Sequence, residues 1–282
     1  MICKANAKIN LSLKVTGLRE DGYHTLEMVN LPIGLHDILT IEVNRGGRST
    51  FITCDDLRLI GVKHNLCQKA VDAMRKEFGF KEEFIIDIHK EVPFAAGLGG
   101  GSSNAAATIK ALNTILHLHA SEEALCKVGA TIGADVPFFI KNEPCKVTGI
   151  GEIMEPIRVK KPYFCLIVKP EAGLSTKDVY AICDNFPRTA IDTEKVIEGL
   201  ATDDLDLIAS SMGNDLMTPA ESLLPTITDI CNDLKELGFK VSMMSGSGSS
   251  CFGLTTDAKL IREATKHFEK LGHIALPTKV IC

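Results

Sequence analysis

The sequence predicts an α+β protein of two domains, on three observations. The chain has 282 residues, 45% of them hydrophobic, enough to bury a large core and more than one domain commonly holds. Near the amino terminus apolar and polar residues alternate at the period of a strand, whereas further on apolar residues recur at helical spacing. The carboxy-terminal part reads strand, helices, two strands, helix, strand, the order of a split β-α-β sandwich: an antiparallel sheet with helices on one face.

From Lys4 onward, Ile9, Leu11, Leu13 and Val15 share one face and Lys8, Asn10, Ser12 and Lys14 the other, as in a half-buried strand. Asp21-Gly22 is a hairpin-type turn signal that leads through Tyr23-His24 into a second strand-like run, "TLEMVNLPI". Further strands are predicted at "ILTIEV" (38 to 43) and "EFIIDIHK" (83 to 90), with a helix near 64 to 78 between them. Ala105, Ile109, Leu112 and Leu116 recur at helical spacing, so about 103 to 118 reads as an amphipathic helix. Ser121 with Glu122 and Glu123 behind it starts another, which Leu125, Val128 and Ile132 carry to a stop at Gly133. The residue before Pro137 is pushed away from helical geometry, so "GADVPFF" leaves that helix and sets Asp135 in a tight connection. "PIRVKKP" combines two prolines with three basic residues and marks a boundary between domains 1–158 and 159–282. Beyond it come a strand (163 to 169) and helical material up to Leu237, with Ile227, Ile230, Leu234 and Leu237 on one face. Strands around 239 to 244 and 250 to 254 are joined by "SGSGS"; a helix opened by Thr256-Asp257 and a last strand at 277 to 281 complete the chain.

Ten cysteines (3, 54, 67, 126, 145, 165, 183, 231, 251 and 282) are scattered without a Cys-x-x-Cys pair, several within apolar runs, and read as buried free thiols. "MICKANAKINL" lacks a signal-peptide pattern and no apolar run approaches the ~18 residues of a membrane span, so a reducing cytoplasm and no membrane partner are expected. A formal charge of -5 without a cluster of lysine or arginine excludes a large nucleic-acid footprint, though not a local site for one anionic small molecule. No obligate protein partner is inferred.

The stretch "PFAAGLGGGSSNAAA" (93 to 107) places four glycines in the five positions from Gly97 to Gly101. Clamped between a strand and a helix, it is no flexible linker. Successive glycines let backbone N–H groups point into one concavity, and the first helical turn around Ser102 to Ala105 adds the positive end of the helix dipole. Such a loop suits a phosphate chain; close backbone packing alone is the other use of so many glycines. No Gly-Lys-Ser/Thr ends it as in a Walker A loop, and Ser102 occupies the place of the third glycine of the dinucleotide fingerprint. The trailing valine and His-Arg-Asp of protein kinases are missing too.

The same string resembles the second motif of the GHMP kinases, the family of galactokinase, homoserine kinase and mevalonate kinase. "AKINLSLKVTGLREDGYHTLEMV", "IGADVPFF", "GIGE" (149 to 152) and "MSGSGSSCFG" extend the likeness over nearly the whole chain. Together they resemble the branch that phosphorylates the 2-hydroxyl of a cytidine-diphosphate-linked methylerythritol in non-mevalonate isoprenoid biosynthesis. "DGYHTL" shortly after "AKINL" is the specific sign of that branch; a mevalonate- or homoserine-type kinase has no use for Tyr23-His24. A non-catalytic ATP-binding sensor on the same fold would dispense with Lys8 and Asp135.

The resemblance implies a ribosomal-S5-like amino-terminal domain, a ferredoxin-like carboxy-terminal domain, and ATP meeting its substrate in the cleft between them. ATP would lie on Pro93, Phe94, Ala95, Ala96, Gly97, Leu98, Gly99, Gly100, Gly101, Ser102 and Ser103; relatives often carry glycine where Ala95 and Ala96 stand. The chain shows no acidic metal cluster, so Mg2+ would be held mainly by the nucleotide phosphates and water. Taken alone, Lys8 reads as a solvated strand lysine and Asp135 as a loop carboxylate; the resemblance makes them the catalytic pair. Tyr23 would stack on cytosine with Tyr180 a candidate for the opposite face, His24 would bond the base edge, and Asn10 the methylerythritol hydroxyls. Gly246, Ser247 and Gly248 would border the phosphate loop and the substrate; without the resemblance they read as a tight turn between strands.

Overall fold

The computed structural model describes residues 1–56 and 65–282, so the first position of the helix predicted near 64 to 78 lies outside the described residues. The chain forms two compact units. One comprises Met1–Ala7, His36–Val92 and Gly99–Asn142; the other Lys8–Leu35, Pro93–Leu98 and Glu143–Cys282. Strands β1 (Ile2–Leu18) and β2 (His24–Val43) contribute residues to both.

In the first unit, the distal half of β2 pairs antiparallel with β4 (Phe84–His89), from Ile38↔His89 to Val43↔Phe84, and β3 (Phe51–Cys54) runs parallel to β4. Phe84, Ile86 and Ile88 of β4 are buried and alternate with solvent-facing neighbours, the pattern of a sheet covered on one side. Helices α1 (Leu66–Phe78), α2 (Gly100–Ile115), α3 (Glu122–Ala130) and α4 (Val136–Lys141) complete the unit. The side chain of Asn65 caps α1 by accepting from Cys67 N, and Ser121 caps α3 by accepting from Ala124 N. Buried Asp37 pairs with Lys90 and accepts from the backbone N–H groups of Glu91 (2.9 Å) and Val92 (2.8 Å), fixing the path by which the chain leaves β4.

Two expectations change here. Helix α2 begins at Gly100, three residues early, so Ser102 and Ser103 lie within its first turn. Gly100 permits this, because a Cβ there would come within 3.1 Å of Val92 Cγ1. Pro137 does not keep the chain out of a helix but sits in the first turn of α4, where a missing N–H removes no helical bond. Asp135 becomes the residue before α4, with φ -80° and ψ -13° and no side-chain cap to the helix.

In the second unit, β5 (Cys145–Gly149) and β6 (Ile153–Pro156) form a hairpin on the proximal half of β2, with Leu26↔Gly149 in register. They are followed by β7 (Phe164–Lys169), α5 (Thr176–Cys183), α6 (Thr193–Thr202), α7 (Leu205–Ser211) and β8 (Gly213–Asn214). Next come α8 (Met217–Leu223), α9 (Thr226–Glu236), β9 (Val241–Met244), β10 (Cys251–Thr255), α10 (Ala258–Lys270) and β11 (Ile274–Lys279). A four-stranded antiparallel sheet runs β11-β7-β10-β9, as the carboxy-terminal order predicts. Ile227, Ile230 and Leu234 of α9 and Ile261, Ala264 and Phe268 of α10 are buried. Strand β11 starts three residues earlier than its sequence suggests, with Pro277 opposite Leu166; an edge strand tolerates a residue that cannot donate.

"TLEMVNLPI" and "ILTIEV" belong to the single strand β2. The polar stretch from Gly34 to Asp37 stays extended, with Ile33 bridging Val280 just before it. Strand β1 is not half-buried: Lys8, Asn10 and Ser12 are 5%, 1% and 0% exposed. Hydrogen bonds make this tolerable, for instance Val29 N donating to Ser12 Oγ at 3.0 Å.

All ten cysteines are free, and Cys67, Cys145, Cys165, Cys183, Cys231 and Cys251 are buried. Burial pushes the Cys67 thiol on α1 up to about 11 and raises that of Cys165 in β7 further. Among the described residues no helix is long and apolar enough to cross a membrane.

The joint between β1 and β8 rests on one carboxylate. The strands pair in parallel at Ser12↔Gly213, and buried Asp215 accepts from Val15 N (2.8 Å) and Thr189 N (2.7 Å). Asp215→Ala strands the buried Val15 N–H and the part-buried Thr189 N–H and is expected to cost about 1–3 kcal/mol, read from the urea midpoint at unchanged slope.

Candidate active site

Within the second unit, the start of the glycine stretch is locked to the β9–β10 turn. Ser245 Oγ donates to Gly97 O at 3.1 Å, Ser250 N to Ala96 O at 3.2 Å, and Lys8 N to Leu98 O at 3.1 Å. Gly97 has φ +72°, and a Cβ on it would lie 2.0 Å from the Ser245 carbonyl oxygen, so only glycine fits. Ala95, where relatives often carry glycine, adopts φ +51°, a conformation that costs a non-glycine residue roughly 1–2 kcal/mol. The turn itself is fixed from three sides. Gly248 N donates to Ser245 O (3.0 Å), Asn214 Nδ2 to Gly246 O (2.8 Å), and Ser247 Oγ meets Thr176 Oγ1 at 2.8 Å.

Against this turn lies the polar face of β1. Lys8 Nζ donates to Asn10 Oδ1, and sits 3.2 Å from where a Cβ on Gly246 would be. Asn10 Nδ2 in turn donates to Asn30 Oδ1 at 2.6 Å and contacts Met28 Sδ at 3.5 Å. Lys8, Asn10 and Gly246 are thus brought together. Asn30 was not singled out from the sequence, although a lone asparagine in the apolar run "MVNLPI" is the signal that would have found it.

Within the first unit, the rest of the glycine stretch opens α2. Gly99, with φ +73°, precedes the helix; no side chain caps it and no acidic residue lies in its first turn. Of the other described helices, α1, α3, α5, α6, α7 and α10 each have a capping side chain, whereas α4, α8 and α9 do not. Uncapped N–H groups and the helix dipole make this end of α2 suited to an anion. Asn104 Oδ1, one turn in, is buried without a partner. Ser102 Oγ lies 3.9 Å from the point a Cβ on Gly133 would occupy, so the half-buried Asp135, two residues further on, belongs to the loop beside this helix start.

Tyr23, 62% exposed, follows the Asp21-Gly22 turn, in which Arg19 N donates to Tyr23 O at 2.8 Å. The Tyr180 ring lies against His24, centroids 5.4 Å apart and 34° between planes. His24 Nε2 meets Asp184 Oδ2 at 3.0 Å, and Arg188 Nη2 donates to Asp184 Oδ1 at 2.5 Å. The imidazole hydrogen bond, and then the guanidinium, hold the Asp184 carboxyl below the ordinary carboxylate range. Nothing in the sequence marks Asp184, which is 160 positions from His24.

Comparison with known proteins gives this geometry its context. Residues 65–143 match the GHMP kinases N terminal domain, and residues 196–270 the GHMP kinases C terminal domain. A Clostridium botulinum protein named 4-diphosphocytidyl-2-C-methyl-D-erythritol kinase is 39% identical over 261 residues, 91% of this chain and 91% of that one. This chain belongs to the GHMP kinases. Among solved structures, a 4-(cytidine 5'-diphospho)-2C-methyl-D-erythritol kinase superposes on this GHMP kinase with a TM-score of 0.81 at 29% identity, over 99% of both chains. A homoserine kinase from Cytophaga hutchinsonii superposes at 0.76 with 18% identity, over 99% of this chain and 93% of that one, a likeness of fold alone. The α+β, two-domain family fold expected from the motifs is therefore the fold of this chain.

In this GHMP kinase the approach of Gly97 to Ser245 is the tightest point of the candidate site. Gly97→Ala adds a clash and an unfavourable φ, and is expected to lower stability by about 2–4 kcal/mol; a melting temperature within 2 °C or so of the parent would contradict it.

Proposed function

We propose that this GHMP kinase transfers the γ-phosphoryl group of ATP to the 2-hydroxyl of 4-diphosphocytidyl-2-C-methyl-D-erythritol. The observation that carries the reading is the 39% identity across 91% of both chains to a relative of that name. The exposed Tyr23, which precedes His24 in the chain, supports it, since a base can stack on a free ring at ~1–3 kcal/mol.

On this reading the triphosphate lies along residues 93 to 103, with the uncapped start of α2 as its anion site. Asp135 orients the acceptor hydroxyl and takes its proton late. Lys8 holds the same hydroxyl and offsets charge on the moving group, with Asn10 binding hydroxyls beside it. A loose phosphoryl-transfer transition state needs little early deprotonation of the acceptor, so positioning counts for more than base strength. Gly246, Ser247 and Gly248 border the phosphates, and Tyr180, whose ring lies against His24, is the candidate for the base face opposite Tyr23. A magnesium ion fits as a partner of the nucleotide: the first turn of α2 offers the hydroxyl-bearing Ser102 and Ser103 but no acidic residue, so phosphates and water would supply most of the ligands. Bound there, it would neutralise phosphate charge. The proposed domains, 1–158 and 159–282, are supported by the two family matches falling on either side of that boundary. Ten free thiols support a reducing, cytoplasmic setting.

A coupled assay of ADP release against the cytidine diphosphate compound, mevalonate, homoserine and galactose, with Lys8→Ala as the blank, tests the assignment. Turnover is expected with the first alone. Asp135→Asn at saturating ATP is expected to lose ~100-fold to 10,000-fold in kcat; a loss below about threefold would remove Asp135 from the chemistry.

A further inference from the structure

We propose that Asp184 is a positioning residue that sets base selectivity by fixing the tautomer of His24, so that the imidazole presents an acceptor to an exocyclic amino group and favours cytosine over uracil. This deepens the reading above and rests on it for the place of the base. His24 Nε2 and Asp184 Oδ2 are 3.0 Å apart. The carboxylate, also bonded by Arg188, is held in its ionised form and has only lone pairs to offer, so the hydrogen in this contact belongs to Nε2. Cys183 Sγ, at 3.7 Å from the same nitrogen and 3.8 Å from Asp184 Oδ1, is too distant to displace the carboxylate as its partner. A neutral imidazole carries one N–H, which leaves Nδ1 with a lone pair.

Among the described residues no hydrogen bond reaches Nδ1, and it is not one of the buried polar atoms left without a partner, so it opens to solvent. It does so on the residue next to the exposed Tyr23 ring, with the imidazole braced by Tyr180. An acceptor on the residue that follows an exposed tyrosine matches the cytosine N4 amine. Uracil carries a carbonyl oxygen at that position, and two acceptors would oppose each other. A site built to bond one polar group rejects an analogue that leaves the bond unmade.

Nitrogen-15 spectra of labelled histidine read the tautomer directly, and calorimetric titration with cytidine and uridine 5'-diphosphates reads the selectivity. The wild type is expected to show hydrogen on Nε2 and to prefer the cytidine compound. Asp184→Asn, whose carboxamide can donate to Nε2, is expected to move the hydrogen to Nδ1 and reduce the preference at least tenfold; Asp184→Glu restores both. Hydrogen on Nδ1 in the wild type would overturn the proposal, as would an equal affinity for the two diphosphates, or an undiminished preference once the tautomer has flipped. Spectra taken with and without a chelator cover one more outcome. His24, Cys183 and Asp184 bring three ligand atoms within 4.8 Å of one another, and an Nε2–H signal that emerges only on chelation would mean a metal ion holds that nitrogen instead, which also overturns it. Diphosphate binding needs no turnover, so a failed kinase assay with the cytidine preference intact would fault the reaction and not the tautomer.

Discussion

The candidate site depends on one close approach of backbone to backbone, the Gly97 segment against the Ser245 carbonyl. Only a residue without a Cβ reaches that distance, and the contact is stitched by hydrogen bonds from Ser245 and Ser250 to the loop and from Lys8 to Leu98. Since the turn is itself tied to Asn214 and Thr176, the position of the glycine loop follows from a rigid surround and does not depend on the loop's own stiffness. Four glycines in five positions would otherwise lose a great deal of chain entropy on ordering.

The second constraint is polar. The face of β1 that carries Lys8 and Asn10 is almost fully buried, which is costly for amides and more so for an ammonium unless each group finds a partner. The relay from Lys8 to Asn10 to Asn30 supplies those partners, and it also holds the Lys8 head group beside Gly246. Burial and orientation are here the same arrangement. A lysine on a solvated strand would instead sample many rotamers.

Much of this was legible in the sequence. Alternation located β1, the Asp-Gly turn located the hairpin, and capping signals at Ser121 and Asp257 located α3 and α10 because the relevant physics is local. The burial of Lys8, Asn10 and Ser12 was not legible, because periodicity reports which residues share a face and not what covers it. The start of α2 differs from its sequence pattern for a similar reason: glycine is a poor helix former, and only the nearness of Val92 shows why Gly100 opens the helix. Of the site, the glycine loop and "DGYHTL" were evident as strings. Asn30, Asn214 and Asp184 were not, since each acts by reaching a residue far away in the chain.

The unpaired thiols give the molecule a built-in set of clocks. Cys67 belongs to one compact unit and Cys165 to the other, each fully enclosed and with its thiolate form strongly disfavoured. Alkylation needs both exposure and ionisation, so neither sulfur reacts until its own surroundings open. The rates at which these two positions take up a label therefore report, separately, how often each half of the protein breathes.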